Sequence, residues 1–175
     1  MLSYRRDENE KELNRLSYHD TLTSFYNRNR YIADTDNLRE TQSPVGIVYL
    51  DVNGLKDIND LRGHAFGDKV LVECARRMRE TFEGADFYRI GGDEFVIICR
   101  EWSKEVFEEK VELLRKNFER DSICRAAVGS RWAEGSDDLS QIIADADARM
   151  YEDKKEFYRR SPVSRRYRHQ SDEVI

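Results

Sequence analysis

Residues 88–99 read Tyr88-Arg89-Ile90-Gly91-Gly92-Asp93-Glu94-Phe95-Val96-Ile97-Ile98-Cys99. An apolar stretch, two glycines, two adjacent carboxylates and a second apolar stretch predict a tight β-hairpin whose turn carries acid groups. Glycine tolerates positive φ and lets another backbone or a phosphate approach closely, so a Gly-Gly corner suits a nucleotide held beside those acids. Taken alone, the four residues Gly91–Glu94 also fit an ordinary hairpin with solvated charges. The surrounding sequence decides between the two.

Upstream, Val45–Val52 is almost wholly apolar and rich in β-branched residues, the pattern of a strand covered on both faces. It changes abruptly to polar residues at Asp51, Asn53 and Gly54, and the end of a buried strand is where α/β domains place ligand chemistry. From Gly67 a helix carries Leu71, Ala75, Met78 and Phe82. Downstream, Phe107, Val111, Leu114 and Phe118 repeat that spacing behind Ser103 as a cap. Ile123–Trp132 reads as another strand, and Leu139, Ile142, Ile143, Ala146 and Met150 mark a helix to about Arg159, stopped by Ser161-Pro162. Nearer the start, Asp20-Thr21-Leu22-Thr23 reads as a turn, and Asn27 caps a helix running through Tyr31, Ile32 and Leu38 to Thr41-Gln42-Ser43-Pro44. Arg28 is expected to pair with a carboxylate such as Asp20. The inner order is βαββαβ, a split βαβ arrangement with an antiparallel hairpin in its middle.

Composition fits one domain. The chain has 175 residues, 37% of them charged, and only two prolines, as suits a single soluble domain with one core. The longest clear apolar run is Phe95–Cys99, far short of a membrane span, and Tyr4-Arg5-Arg6-Asp7-Glu8 is charged where a signal peptide would be apolar. The expected location is therefore the cytoplasm, without membrane contact by this chain. Cys74, Cys99 and Cys124 are odd in number, unpaired in any Cys-x-x-Cys, and set in apolar patterns, which predicts buried free thiols. A net charge of −5 gives no general attraction to nucleic acid. Arg159, Arg160, Arg165, Arg166 and Arg168 make the end basic, and 161–175 reads as a solvated, disordered tail. Residues 1–19 read as an exposed helix with a thin stripe at Leu13 and Leu16.

"RIGGDEF" at 89–95 resembles the signature of the GGDEF family of diguanylate cyclases. So do "HDTLTSFYNR" at 19–28, "LDVNGLKDINDLRGHAFGDKVL" at 50–71 and "ADARMYEDKK" at 146–155, in the family's order. The resemblance implies an α+β fold, an α/β sandwich whose central, mostly antiparallel sheet is wrapped by helices, akin to nucleotide-cyclase and polymerase palm domains. It implies a domain at 20–160 behind a linker or signalling helix at 1–19, itself joined to an upstream sensor domain. The implied reaction condenses two GTP into cyclic di-GMP and two pyrophosphates, with Mg²⁺ or Mn²⁺, in a homodimer of half-sites.

Joining nucleotides requires a 3′-hydroxyl to attack an α-phosphate, so positioning and divalent metal carry most of the catalysis. Mg²⁺ takes oxygen ligands, commonly one or two carboxylates with phosphate and water. Asp51 and Asp93 match the family's metal carboxylates, with the carbonyl of Val52 as an added ligand. Glu94 matches the signature's fourth letter and would assist metal binding or deprotonation of the hydroxyl. An amide and a carboxylate can together read the guanine edge, and Asn59 and Asp68 occupy the family's guanine-reading positions. Asp68 also suits a helix cap. The backbone of Asn53, Gly54, Leu55 and Lys56 can present N–H groups to phosphates, Gly92 lets phosphate approach the turn, and Lys154 matches a triphosphate-contacting lysine.

Three features depart from the pattern or stand outside it. Where the family often has arginine, four residues after Lys154, this chain has Tyr158, followed by Arg159. At the spacing of the family's inhibitory Arg-x-x-Asp it has Phe82 and Ala85, and a one-residue shift gives Glu83 and Asp86, so no inhibitory product site is expected. His64 is expected to be a hydrogen-bonded structural histidine rather than a base. Two other readings stay open: a GTP-binding domain that only regulates a partner, and a dimerisation module.

Overall fold

The computed structural model describes residues 17–38, 43–121, 123–135 and 138–160. The expected 1–19 helix, apart from its end, and the expected 161–175 tail lie outside these residues. Ten elements follow in order: β1 (Tyr26–Asn27), α1 (Arg28–Leu38), β2 (Val45–Val52), α2 (Leu55–Arg62), α3 (His64–Thr81), β3 (Asp86–Arg89), β4 (Glu94–Arg100), α4 (Lys104–Glu119), β5 (Ala126–Ala133) and α5 (Leu139–Arg160). The strands form one sheet in the order β1-β3-β4-β2-β5. Only the two-residue β1 runs parallel to its neighbour; the β3–β4, β4–β2 and β2–β5 pairings are antiparallel. The α+β reading, the βαββαβ core and the mostly antiparallel sheet are all borne out.

Alternation along β2 and β4 divides the core in two. Val48, Leu50, Val52, Phe95, Ile97 and Cys99 point into one cluster, shared with Leu71 and Met78 of α3 and Phe107, Leu114 and Phe118 of α4. Ile47, Val96 and Ile98 point into the other, under Leu139, Ile142 and Ala146 of α5. Each fully buried large aliphatic or aromatic side chain contributes about 1.5–3 kcal/mol relative to exposure. The strands therefore stay where both faces are covered. Helix α1 docks differently, mostly through polar groups: Tyr88 Oη donates to the buried Asp34 at 2.7 Å, and Arg30 Nε donates to the same oxygen at 2.9 Å. Ile32, expected in its apolar stripe, is exposed.

Helix α5 lies so close to β5 that a Cβ on Gly129 would strike backbone atoms of Ala146 and Met150. β5 is the sheet's edge, and α4 and α5 cover part of it. Asp153 accepts from Val128 N at 2.7 Å, Arg115 donates to Val128 O, and Arg149 donates to Ser130 O. Satisfying outward backbone groups in this way blocks pairing with a stray strand. No helix among the described residues is long and apolar enough to cross a membrane.

Four expectations need correction. Cys74 on α3 and Cys124 before β5 form a disulfide with Cα atoms 6.1 Å apart, and only Cys99 is free and buried. The pair is fifty residues apart in sequence, so no local spacing announces it. Tertiary packing makes it: Asp121 accepts from Ile123 N and Cys124 N at 2.7 and 2.8 Å and from Arg77 of α3 at 2.6 Å, holding that loop against the helix. Secondly, Asp20 pairs with Arg89 at 3.1 Å, in place of the expected Arg28. Thirdly, the helix expected from Gly67 starts at His64 after a separate short helix, α2, so Asp68 sits inside α3 and caps nothing. Lastly, His64 is exposed on the first turn of α3 and its ring makes no hydrogen bond to the described residues.

Candidate active site

Antiparallel register brings the acids together. Asp51 at the end of β2 stands directly opposite Glu94 at the start of β4. The hairpin turn closes through Ile90 N to Glu94 O at 3.0 Å, and Val52 N bonds Asp93 O at 2.9 Å, fastening the turn to the end of β2. The Glu94 carboxylate folds over Gly91, and a Cβ there would push that exposed side chain aside. Gly92 is exposed, with open space around its α-carbon.

Asp51 is buried, and its two oxygens differ. Oδ2 accepts from Lys154 Nζ at 2.7 Å, whereas Oδ1 is buried with no partner. Burial pushes the Asp51 carboxyl above its ordinary range, and the charges of Asp93 and Glu94 push the same way against Lys154. Burial works to lower the Lys154 ammonium, yet its contact with Asp51 holds it above the ordinary lysine value. The site thus gathers negative charge that one ammonium only partly offsets. An unpartnered carboxylate oxygen among like charges is a poor resting state and a good cation ligand. The described residues contain no cluster of three or more His, Cys, Asp or Glu ligands.

Next in the chain, Asn53 is buried, its N–H bonded to Arg125 O at 2.8 Å. Gly54 adopts φ 71° and ψ 15° and opens α2, and no side chain caps that helix start. The Gly54 N–H instead meets the Tyr158 hydroxyl at 3.3 Å. Leu55 is half-buried against the core and Lys56 is exposed. At the other end of α2, Asn59 Oδ1 is buried without a partner, pressed over Gly67 so closely that a Cβ there would collide with it. Asp68 follows Gly67 and is exposed. Asp51, Asp93, Glu94 and Lys154 therefore form one centre, with Gly54 engaged by the same helix as Lys154. Asn59 and Asp68 lie where α2 meets α3, and Lys56 points to solvent.

Sequence reading missed Arg89. Its Nε and Nη2 donate to Gly92 O at 3.2 and 2.7 Å, while Nη1 holds Asp20 at 3.1 Å. Asp20 also accepts from the N–H and hydroxyl of Thr23. One guanidinium fork thus ties the turn at residues 20–23 to the hairpin turn. The signal was present, since both residues fall inside quoted blocks, but no spacing rule joins positions 69 apart.

Asp51 lies at the buried base of the acid centre, and the other two acids reach solvent. A cleft of about 330 Å³ runs between α4, α5 and β5 and is lined by Asn53, Arg115, Phe118, Arg125, Asp153 and Phe157 among others, but not by Asp51, Asp93 or Glu94. Asp93 is half-exposed and Glu94 exposed.

A five-stranded antiparallel-dominated sheet flanked by helices, with acids at a hairpin beside a strand end, defines an α+β domain of the palm-like cyclase class. The chain belongs to the GGDEF family of diguanylate cyclase domains, a family of nucleotidyltransferases: residues 17–160 match "Diguanylate cyclase, GGDEF domain". It is 32% identical over 148 residues to the diguanylate cyclase VdcA of Vibrio cholerae, which covers 77% of this chain and 43% of that protein. The chain thus spans less than half the length of that relative. Among solved structures, a microbial GGDEF domain studied in its interaction with cyclic di-GMP superposes with a TM-score of 0.70 at 30% identity, over 80% of this chain and 94% of that one. The coiled coil and GGDEF domain of DgcB from Caulobacter crescentus, in complex with c-di-GMP, superposes with a TM-score of 0.76 over 87% of this chain and 88% of that one; at 21% identity it speaks for the fold alone.

Proposed function

We propose that this chain is the catalytic domain of a diguanylate cyclase that joins two GTP molecules into cyclic di-GMP, with release of two pyrophosphates. The observation that carries it is Asp51: a buried carboxylate with one unpartnered oxygen, opposite Glu94 and beside Asp93, at the signature hairpin. Asp51, Asp93 and the Val52 carbonyl would hold Mg²⁺ or Mn²⁺, with Glu94 assisting. When bound, the ion supplies charge neutralisation at the α-phosphate and lowers the pKa of the attacking hydroxyl. Lys154 moves its charge from Asp51 toward the triphosphate. The Asn53 N–H, expected to face phosphate, is taken by Arg125 O, so the Gly54–Lys56 backbone and Gly92 receive phosphate oxygens, and Lys56, free in solvent, adds a point charge. Guanine N–H donors satisfy the orphaned Asn59 oxygen, and Asp68 accepts the remaining donor, which selects guanine over adenine. Arg89, linked to Asp20, positions the turn.

A single chain supplies one nucleotide, so two chains must face each other. The exposure of Asp93 and Glu94 supports such a half-site, closed by a second copy. In this reading residues 20–160 act in the cytoplasm under an upstream sensor domain, connected through the helix that ends near residue 19.

The first test is purified chain at high concentration with GTP and Mg²⁺, cyclic di-GMP being sought by mass spectrometry beside Asp93→Ala. Product from the parent and none from the variant is expected. Absence of product, even with dimerisation forced by a fused coiled coil, would favour a second reading: a domain that binds GTP and regulates a partner. The Tyr158–Gly54 contact is the observation that favours it.

A further inference from the structure

Two groups that an incoming nucleotide complex would need are already engaged by one face of α5. Lys154 Nζ lies 2.7 Å from Asp51 Oδ2, and one turn later the Tyr158 hydroxyl accepts the Gly54 amide hydrogen at 3.3 Å. Residues four apart share a helix face, so a single surface of α5 meets both the acid and the first amide of the phosphate-facing loop. Gly54 opens α2 with no side-chain cap and is only half-buried, and the phenol oxygen is the partner its amide hydrogen meets. The Tyr158 ring, meanwhile, is half-buried and braced edge-on against Phe157, with centroids 5.3 Å apart.

We propose that Tyr158 is an internal competitor for phosphate: its hydroxyl occupies the Gly54 amide in the free chain and is displaced when a nucleoside triphosphate binds. This rests on the nucleotide-site reading above and adds to it an affinity-setting residue. An amide carries one hydrogen, so the phenol oxygen and a phosphate oxygen cannot both accept it well. The anionic phosphate is the stronger acceptor and wins. Measured affinity is nevertheless reduced by the bond that had to break. A neutral hydrogen bond of ordinary net strength corresponds to about two- to twelve-fold in a dissociation constant. Retention of a hydroxyl here thus lowers affinity for triphosphate without touching the acids or the guanine-reading groups.

Tyr158→Phe removes the hydroxyl and keeps the ring with its packing on Phe157. A non-hydrolysable GTP analogue with Mg²⁺, titrated calorimetrically into the whole chain, is expected to bind Tyr158→Phe about two- to twelve-fold more tightly than the parent. Guanosine, which has no phosphate, should gain nothing. In nucleotide-free protein the Gly54 amide should exchange with solvent faster in the variant, while amides of β2 and β4 exchange as in the parent and certify the fold. Equal or weaker binding of the analogue by Tyr158→Phe, when the parent binds it, overturns the competitor role and leaves the nucleotide site standing. An equal gain for guanosine also overturns it, because the effect would then not concern phosphate. An analogue that binds neither chain overturns the nucleotide-site reading, and the inference falls with it.

Discussion

Asp51 stands under opposing demands. Burial and two neighbouring acids act against its charge, and Lys154 supports it. Replacing it with Asn removes the proposed metal ligand together with the electrostatic cost. Asp51→Asn should therefore lower cyclic di-GMP formation by at least about 100-fold, measured by mass spectrometry, because the metal's charge is lost from the reacting phosphate. Unfolding in urea without metal should change by no more than about 1 kcal/mol, since relief from carboxylate burial offsets the lost ion pair. Asp20 behaves in the opposite sense. Burial would raise its carboxyl, but the two Thr23 bonds and Arg89 outweigh that and hold it below the ordinary value of 3.8. A carboxyl whose folded pKa is depressed contributes stability above the unfolded pKa, and loses it as pH falls through the folded value. Asp20→Asn should thus cost about 1 kcal/mol at pH 7 and flatten the acid limb of the stability curve below about pH 4, read by thermal unfolding across pH.

At the scale of elements, close approaches set the tolerances. Gly46 faces the Phe107 ring, whereas Gly129 faces the α5 backbone at Ala146 and Met150. A ring can tilt, but a helix backbone must translate. Gly46→Ala should cost about 1–3 kcal/mol and Gly129→Ala more, since overpacking is relieved least where backbone must move. Parallel denaturant titrations decide the order. The Cys74–Cys124 bond closes a fifty-residue separation between α3 and the approach to β5. Reduction should lower stability by about 2–4 kcal/mol, and a non-reducing peptide digest should show that link with Cys99 unpaired. The elements that sequence made legible were those with a long period: β2, β4, α3, α4 and α5 each carry enough apolar repeats to declare their faces. Helix α2 stayed hidden because eight residues hold barely two turns and two glycines bound it. The acid pair was legible because strand ends and hairpin turns are local features. The Arg89–Asp20 fork, the disulfide and the Tyr158–Gly54 contact join residues 50 or more positions apart, and only packing reveals them.

For the molecule as a whole, the proposed reaction makes turnover depend on how two copies meet. Phe82 and Ala85 stand at the inhibitory spacing; Phe82 is fully buried and stacked on Trp102, with centroids 5.9 Å apart, and Asp86 is paired with Arg100 at 2.9 Å. With no guanidinium at residue 82 to hold a phosphate bidentately, added cyclic di-GMP should leave initial rates unchanged well into the micromolar range. Inhibition abolished by a Glu83 or Asp86 substitution would contradict this. Turnover itself should report the half-sites. Below the dimerisation constant the active species grows as the square of chain concentration, so specific activity should rise linearly with protein and level off once dimers dominate. Mixing gives the sharper result. Closing the ring takes two attacks, and in the proposed half-site dimer each needs the acids of one subunit. In a dimer of parent with Asp93→Ala only one competent acid centre remains, so one phosphodiester bond forms and the linear dinucleotide triphosphate accumulates. Excess Asp93→Ala should therefore depress cyclic product below simple dilution while linear product rises. Cyclic di-GMP that falls only in proportion to dilution, with no linear species, would show instead that a single chain's acids serve both attacks.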